Sequence, residues 1–342
     1  MGLKDFAIVV GINDYTPPKD AGLKGLLGAV PDATGVEQWL LDKDNGDVPA
    51  DQCFKIVSSP GVMPLAPIQY AIDDKLDEII SIVNSKFQKQ ADRLYFYFAG
   101  HGLGVDTQES NTGLCLANWS QSKRRSALSA SDYKDLMVRL QIFKEVIFLA
   151  DCCRNAAYNI RPIPSVIDTI MPGPLNTLYF VGYATQYLDQ AYEIDNDLTG
   201  EKRGVFTSLL LKGLRGAAAD QQGNVTAESL KNYLMKNTPI VAQESGFKQI
   251  PQIWHTGYEG NSILFKSMPV EPMVDCTIHF PSGQREMVDL LDGAARVLGS
   301  FDTGKPYDIQ LKRGLYMLKG KNSGQEKAFM VSPEKSTLDV DF

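Results

Sequence analysis

Two short stretches of this chain hold residues that could do nucleophilic chemistry. In YFYFAGHGLG (95–104), His101 stands between Gly100 and Gly102 at the end of an apolar run, and in VIFLADCCRN (146–155), about fifty residues on, a second apolar run ends in Asp151-Cys152-Cys153-Arg154. A cysteine nucleophile needs a base or an imidazolium beside it, because a free thiol is mostly protonated at neutral pH. Glycines around the histidine let a substrate backbone approach closely. They also leave the Gly102 N–H open to an oxyanion, with the nucleophile's own N–H as second donor. Of the three histidines, His279 falls on the polar side of an alternating strand pattern, and His255, in QIPQIWHTG, is the only rival base. At this level either thiol of the Cys152-Cys153 pair could be the nucleophile.

For His101 to face a thiol, both runs must be parallel strands of one sheet ending on the same edge. The patterning supports this. FAIVV (6–10), LYFYFA (94–99), VIFLA (146–150), LYFV (178–181) and, more weakly, CFKIV (53–57) are short continuous apolar runs, as expected of strands covered on both faces. Helical patterns separate them: Ile68, Ile72, Leu76, Ile79, Ile80 and Val83 at helical spacing, then 32–43, 129–140, 204–216 and 226–237. This βαβ series predicts a doubly wound, mainly parallel α/β sheet flanked by helices over residues 1–265, with its chemistry at the carboxyl ends of the strands. From residue 273 the pattern changes to period two, as in Val274, Cys276, Ile278 and Phe280 or Tyr307, Ile309 and Leu311. This predicts a small antiparallel, sandwich-like all-β domain over 273–342. The boundary is expected in KSMPVEPM (266–273), which has two prolines and no periodicity.

Composition narrows the function classes. The 342 residues are 44% hydrophobic and 22% charged, with a formal net charge of −7. That is enough for a sizeable core, and it argues against a nucleic-acid partner held by phosphate contacts. No apolar run approaches a membrane span. The N-terminal MGLKDFAIVVGINDY lacks the pattern of a signal peptide. Five cysteines without CxxC pairing exclude a zinc-site reading and fit a reducing compartment, so the expected location is cytoplasmic.

The combination YFYFAGHG and DCCRN resembles the caspase and metacaspase group of cysteine proteases, whose histidine lies about fifty residues before the cysteine. AIVVGINDY, LLGAVPDA (26–33) and GVFTSLLLKGL fit the same resemblance, which covers about residues 1–260. It implies a caspase-like fold and a Cys–His endopeptidase acting on protein or peptide substrates, with no metal or other cofactor in the chemical step. Laid on the family pattern, Asp151-Cys152-Cys153 selects Cys153 as nucleophile. Arg154 follows it as in caspases, whereas Asn155-Ala156 departs from the family's usual Gly. The resemblance also implies that Asp32 and Asp151 form an acidic primary pocket, as in metacaspases, which would bind Arg or Lys by charge-assisted hydrogen bonds. For Asp32 the structural alternative is a helix N-cap, and for Asp151 a loop-orienting role. Asp189 and Glu193, past the fifth strand, could add negative charge, but the weight is against it.

Two other functions stay open on the residues alone. One is a caspase-fold protease cutting after Asp or Asn, with Arg124 or Arg154 lining the pocket; the other is a caspase-fold interaction scaffold without turnover. SQSKRRSALS (120–129) and GEKRG (200–204) are basic turns that become self-cleavage candidates in a zymogen if the pocket takes Arg or Lys. DKDNGD (42–47) misses the spacing of a calcium loop and predicts a turn, so calcium dependence has no site behind it. The β domain is expected to dock an activating protein partner, or to pack as a structural element, and signalling or defence is the expected setting.

Overall fold

The computed structural model describes residues 3–105, 111–157, 160–168, 176–195, 200–220, 222–257, 262–267, 274–280, 285–292, 297–312, 314–331 and 337–342. Two compact units divide the chain, Met1–Met268 and Pro269–Phe342. The first unit opens with β1 (Asp5–Gly11), α1 (Ala29–Leu41), β2 (Cys53–Val57), α2 (Gln69–Lys86) and β3 (Ala91–Ala99). Next come β4 (Gly102–Val105), β5 (Thr112–Cys115), β6 (Ala127–Ser129), α3 (Ala130–Arg139) and β7 (Phe143–Asp151). They are followed by β8 (Asn155–Ala157), β9 (Leu178–Tyr183), β10 (Glu193–Asp195), β11 (Lys202–Gly204) and α4 (Val205–Lys212). β12 (Asn224–Thr226), α5 (Ala227–Glu244), β13 (Gln252–His255) and β14 (Leu264–Ser267) close the unit.

Six strands form the central sheet in the order β13-β9-β7-β3-β1-β2; β9, β7, β3, β1 and β2 are parallel, and β13 runs antiparallel at the edge. All seven residues of β1 are buried, because helices cover both faces of the sheet and leave an apolar run no polar side to present. One face carries Ile72, Leu76, Ile79 and Val83 of α2 with Tyr133, Leu136 and Met137 of α3. The other carries Val36, Trp39 and Leu40 of α1 with Leu209 and Leu210 of α4 and Leu230 and Leu234 of α5. Capping sets the starts of two helices: Ser129 accepts from Asp132 N at α3, and Thr226 and Ser229 form a reciprocal capping box at α5.

The register of β3 on β7 pairs Ala99 with Asp151, and Gly100 N donates to Asp151 O at 3.2 Å. The two chemistry-bearing segments therefore leave the sheet side by side. Beyond the sheet, β6-β5-β4-β8 form a small second sheet over the same edge.

The second unit contains β15 (Val274–His279), β16 (Met287–Asp292), β17 (Val297–Asp302), β18 (Tyr307–Leu311), β19 (Gly314–Gly320), β20 (Glu326–Val331) and β21 (Thr337–Asp341). They make two sheets, β18-β15-β21 and β17-β16-β19-β20. Their inward residues share one apolar cluster that includes Val274, Cys276, Ile278, Val288, Leu290 and Leu318. The pairing is antiparallel except that β21 runs parallel to β15, a direction that period-two alternation cannot encode. No helix among the described residues is long and apolar enough to cross a membrane.

Candidate active site

His101, Cys153, Asp32 and Asp151 all line one cleft, together with Gly100, Cys152, Ala191, Glu193 and Gly204 among others. The imidazole is held from two sides. Its Nε2 lies 2.7 Å from Lys24 O. A carbonyl only accepts, so Nε2 carries the proton and Nδ1 keeps its lone pair. His101 N donates to Tyr15 Oη at 2.8 Å, and the Tyr15 ring meets the imidazole edge-on at 4.9 Å. Burial lowers the His101 pKa, against the raising influence of the Lys24 carbonyl and the Glu193 carboxylate.

Cys153 is the half-buried thiol of the pair, whereas Cys152 is 2% exposed and belongs to the apolar core. Cys153 Sγ accepts from Ala191 N and donates to Ala191 O, each at 3.4 Å. In this structure the imidazole and the thiol thus share the cleft while each holds a backbone partner of its own. Burial pushes the Cys153 thiol up, offset by the Ala191 N–H and reinforced by the negative charge of Asp151 and Glu193.

Of the oxyanion candidates, Cys153 lines the cleft, whereas Gly102 does not and lies against the backbone of Cys153 and the side chain of Cys152. Cys115 N donates to His101 O at 2.9 Å, so the alternation of an antiparallel ladder turns the Gly102 N–H away from β5, towards the side of β8. A Cβ at Gly102 would collide with Cys153 O and Cys152 Sγ; only glycine lets the two segments approach this closely.

The two aspartates converge on Gly204. Asp32 Oδ2 accepts from Gly204 N at 2.8 Å, and Asp151 Oδ2 accepts from Thr207 N at 3.0 Å and Thr207 Oγ1 at 2.6 Å. A Cβ at Gly204 would overlap Asp151 Oδ2 and stand 2.9 Å from Asp32 Oδ2. Asp32 is therefore no N-cap: it lies inside the first turn of α1, whose N-cap is Gly28. Its Oδ1 is buried without a hydrogen-bond partner, with Arg203 Nη1 3.9 Å away. Burial and the neighbouring Asp151 raise the Asp32 pKa well above the carboxylate range, and burial brings Asp151 up to about 6. Two carboxylates kept out of water, one with an unmet acceptor, favour a bound cation.

The sequence reading weighs against Glu193 as pocket charge, yet it lines the cleft. It also missed Tyr15, Lys24, Gly204 and Thr207. Only long-range pairing brings these residues to the site, although Tyr15 and Gly204 lie in stretches already singled out by resemblance. Asp189 does not line the cleft; its carbonyl accepts from Arg154 N at 2.9 Å. Arg154 is fully buried between Tyr183 and Tyr187, bonded to Thr112, Thr185 and Gln252, and lines no part of the cleft. Arg124 does not line it either. His255 lies on β13, bonded to Glu228 at 2.9 Å and stacked on Phe180. Asp42, in the DKDNGD stretch, accepts from Asp44 N at 2.9 Å and bonds Asn45, which makes a turn.

The family model of the caspase domain matches residues 4–259. A probable protease from a Desulfuromonadales bacterium is 32% identical over 228 residues, 63% of this chain and 26% of that protein. The chain thus spans about a quarter of that relative's length. Among solved structures, caspase-1 from Spodoptera frugiperda aligns at 14% identity and a TM-score of 0.49, covering 79% of this chain and 92% of its own. A protein from Geobacter sulfurreducens aligns at 14% identity and a TM-score of 0.47, covering 78% of this chain and 99% of its own.

Proposed function

The chain belongs to the caspase-domain family of proteases, and from that premise we propose that it is a cysteine endopeptidase that cleaves after Arg or Lys. The observation that carries the specificity is the pair of buried carboxylates, Asp32 and Asp151, meeting at a side-chain-free Gly204 in the same cleft as His101 and Cys153. A guanidinium or ammonium entering there meets Asp32 Oδ1, which accepts no hydrogen bond and has the Arg203 guanidinium only at 3.9 Å, and Arg is favoured because its planar fork can bridge two carboxylates. The burial of Arg154 away from the cleft weighs against a pocket for acidic residues.

In this mechanism the thiol leaves Ala191 and gives its proton to His101 Nδ1, and Sγ bonds to the scissile carbonyl carbon. The Gly102 and Cys153 N–H groups stabilise the oxyanion that forms. Collapse of this intermediate breaks the C–N bond, and the imidazolium returns its proton to the leaving amine. Water, deprotonated by His101, then hydrolyses the thioester and regenerates the thiol. Lys24 O and Tyr15 keep the imidazole in one tautomer and orientation throughout. The setting we propose is a regulated cascade in which the C-terminal unit docks an activating protein.

The test is cleavage of matched fluorogenic peptides ending in Arg, Lys, Asp or Asn by wild type and Cys153→Ala, with and without calcium. Cleavage after Arg and Lys that disappears in the variant is expected. Cleavage after Asp would keep the nucleophile and reject the pocket. A wild type inactive on every peptide would favour a scaffold or a latent zymogen.

A further inference from the structure

The cleft has two walls that come from distant parts of the chain. One is the start of α1, which carries Asp32 in its first turn. The other is the segment Ala191–Glu193 leading into β10, whose Ala191 holds the Cys153 thiol. The first wall has no cap from its own sequence: the N-cap position is Gly28, without a side chain. A helix start leaves amides that need acceptors from elsewhere. Asn13 Oδ1 takes Val30 N at 3.1 Å, which ties α1 to the end of β1. Glu193 takes two more from across the cleft, with Gly28 N on Oε1 at 2.8 Å and Leu27 N on Oε2 at 3.3 Å.

The second wall is built around the same residue. Glu193 pairs with Gly204 in the β10–β11 ladder, and Gly204 N donates to Asp32 Oδ2 at 2.8 Å. Behind it, Gln249 is fully buried and bridges Tyr192 N and Ala184 O at 3.0 Å each. Glu193 is thus fixed from behind and reaches forward with a carboxylate that has both oxygens engaged. A carboxylate on N–H groups at a helix start is also favoured by the helix dipole.

We propose that Glu193 is a positioning residue of the primary pocket, a latch that joins the α1 wall to the β10 wall and fixes Asp32 opposite Asp151. This deepens the reading of the site as an Arg- or Lys-selective pocket and rests on it. With the latch removed, α1 stays tied to β1 through Asn13 and to β11 through Asp32 Oδ2 on Gly204 N and Arg203 Nη1 on Pro31 O at 2.8 Å, but the Leu27–Gly28 end of the wall loses its link to β10. The cost then falls on binding of the basic residue, because His101, Lys24, Tyr15 and the Cys153–Ala191 contact keep their own partners.

The experiment compares wild type, Glu193→Ala and Glu193→Gln in the full chain. Hydrogen exchange reads the latch without any substrate: exchange at the Leu27 and Gly28 amides should quicken about tenfold in Glu193→Ala, as expected for loss of charge-assisted bonds. In Glu193→Gln the carbonyl can still take Gly28 N, so the rate should fall between the two. On Arg and Lys peptides, Glu193→Ala should raise KM about tenfold with kcat within about threefold, and Glu193→Gln should recover most of the loss. Labelling of Cys153 by iodoacetamide should proceed in all three proteins. Unchanged amide exchange in Glu193→Ala would overturn the latch. So would a fall in kcat at constant KM, or a Gln variant as impaired as Ala. If Glu193→Ala does not fold, wild type against Glu193→Gln carries the same comparison. A wild type that cleaves no basic peptide would reject the pocket reading, while the amide exchange still decides the latch.

Discussion

Burial acts on His101 and Cys153 in opposite electrical senses with one result. It lowers the imidazole below its ordinary value of 6.5 and raises the thiol above its ordinary value of 9.0, so both groups rest neutral near pH 7. The thiol also faces Asp151 and Glu193, which oppose a second negative charge. In the proposed mechanism the imidazole therefore acts as a general base during attack, with no thiolate–imidazolium pair stored beforehand. Alkylation by iodoacetamide consumes the thiolate, so its rate on the free protein should keep rising from pH 6 through pH 9. A preformed ion pair would instead give a plateau below neutrality. A plateau by pH 6, measured as loss of free thiol and lost in Cys153→Ala, would overturn this account. Cys152 plays no part in that reaction, since it is 2% exposed and packed against Gly102.

At the scale of elements, the pocket depends on the junction of β11 with α4. Gly204 has φ −63° and ψ 135°, extended backbone that any residue adopts, so its lack of a side chain answers to the carboxylates and not to the chain path. Gly204→Ala would place a methyl against Asp151 and Asp32. We expect it to lower kcat/KM on Arg peptides by about a hundredfold through overpacking of the pocket. Iodoacetamide labelling of Cys153 should stay within about twofold of wild type. Equal loss of both would mean that the substitution disturbs the whole edge of the sheet. This junction also marks how far the sequence could be read. The five parallel strands were legible because burial on both faces forces unbroken apolar runs, and their shared edge follows from the βαβ order. The start of α1 at Ala29, three residues before Asp32, was not, since a cap supplied by Glu193 leaves no local signal. Nor were β4, β5, β6 and β8, which are three or four residues long, too short for any period to emerge. The antiparallel edge strand β13 has no such run to mark it, because Ile253 is the one buried residue of QIWH. Residues 94–101 and 146–153 are legible because strand and chemistry share one stretch; Glu193 is not, because its bond to Gly28 spans 165 residues of chain.

Across the whole molecule, the central sheet carries buried charge at both ends. At the carboxyl end Asp32 and Asp151 are buried in the cleft that holds His101 and Cys153. At the amino end, Asp5 opens β1 at 7% exposure, and burial brings it from 3.8 to about 6, with Arg93 lowering it and Asp92 and Glu145 raising it. Arg93 itself is committed elsewhere: it bonds Glu145 at 2.6 Å, Tyr95 Oη at 2.8 Å and Leu264 O at 2.9 Å. An acid whose folded pKa is raised binds its proton more tightly when folded. Its contribution to stability is therefore fully present below about pH 4 and is lost as the pH rises through about 6. Asp5→Asn removes the ionisation while keeping the shape. It should therefore stabilise the first unit at pH 7.5 by at most about 3 kcal/mol, a ceiling set by the size of the shift, and change little at pH 4. Thermal or urea unfolding of wild type and Asp5→Asn at the two pH values measures the difference. The second unit has an apolar cluster of its own, so the transition to follow is that of the first unit, monitored for example by exposure of Cys115 and Cys152. An equal gain at both pH values would assign the effect to packing and remove the ionisation of Asp5 from the stability of the sheet.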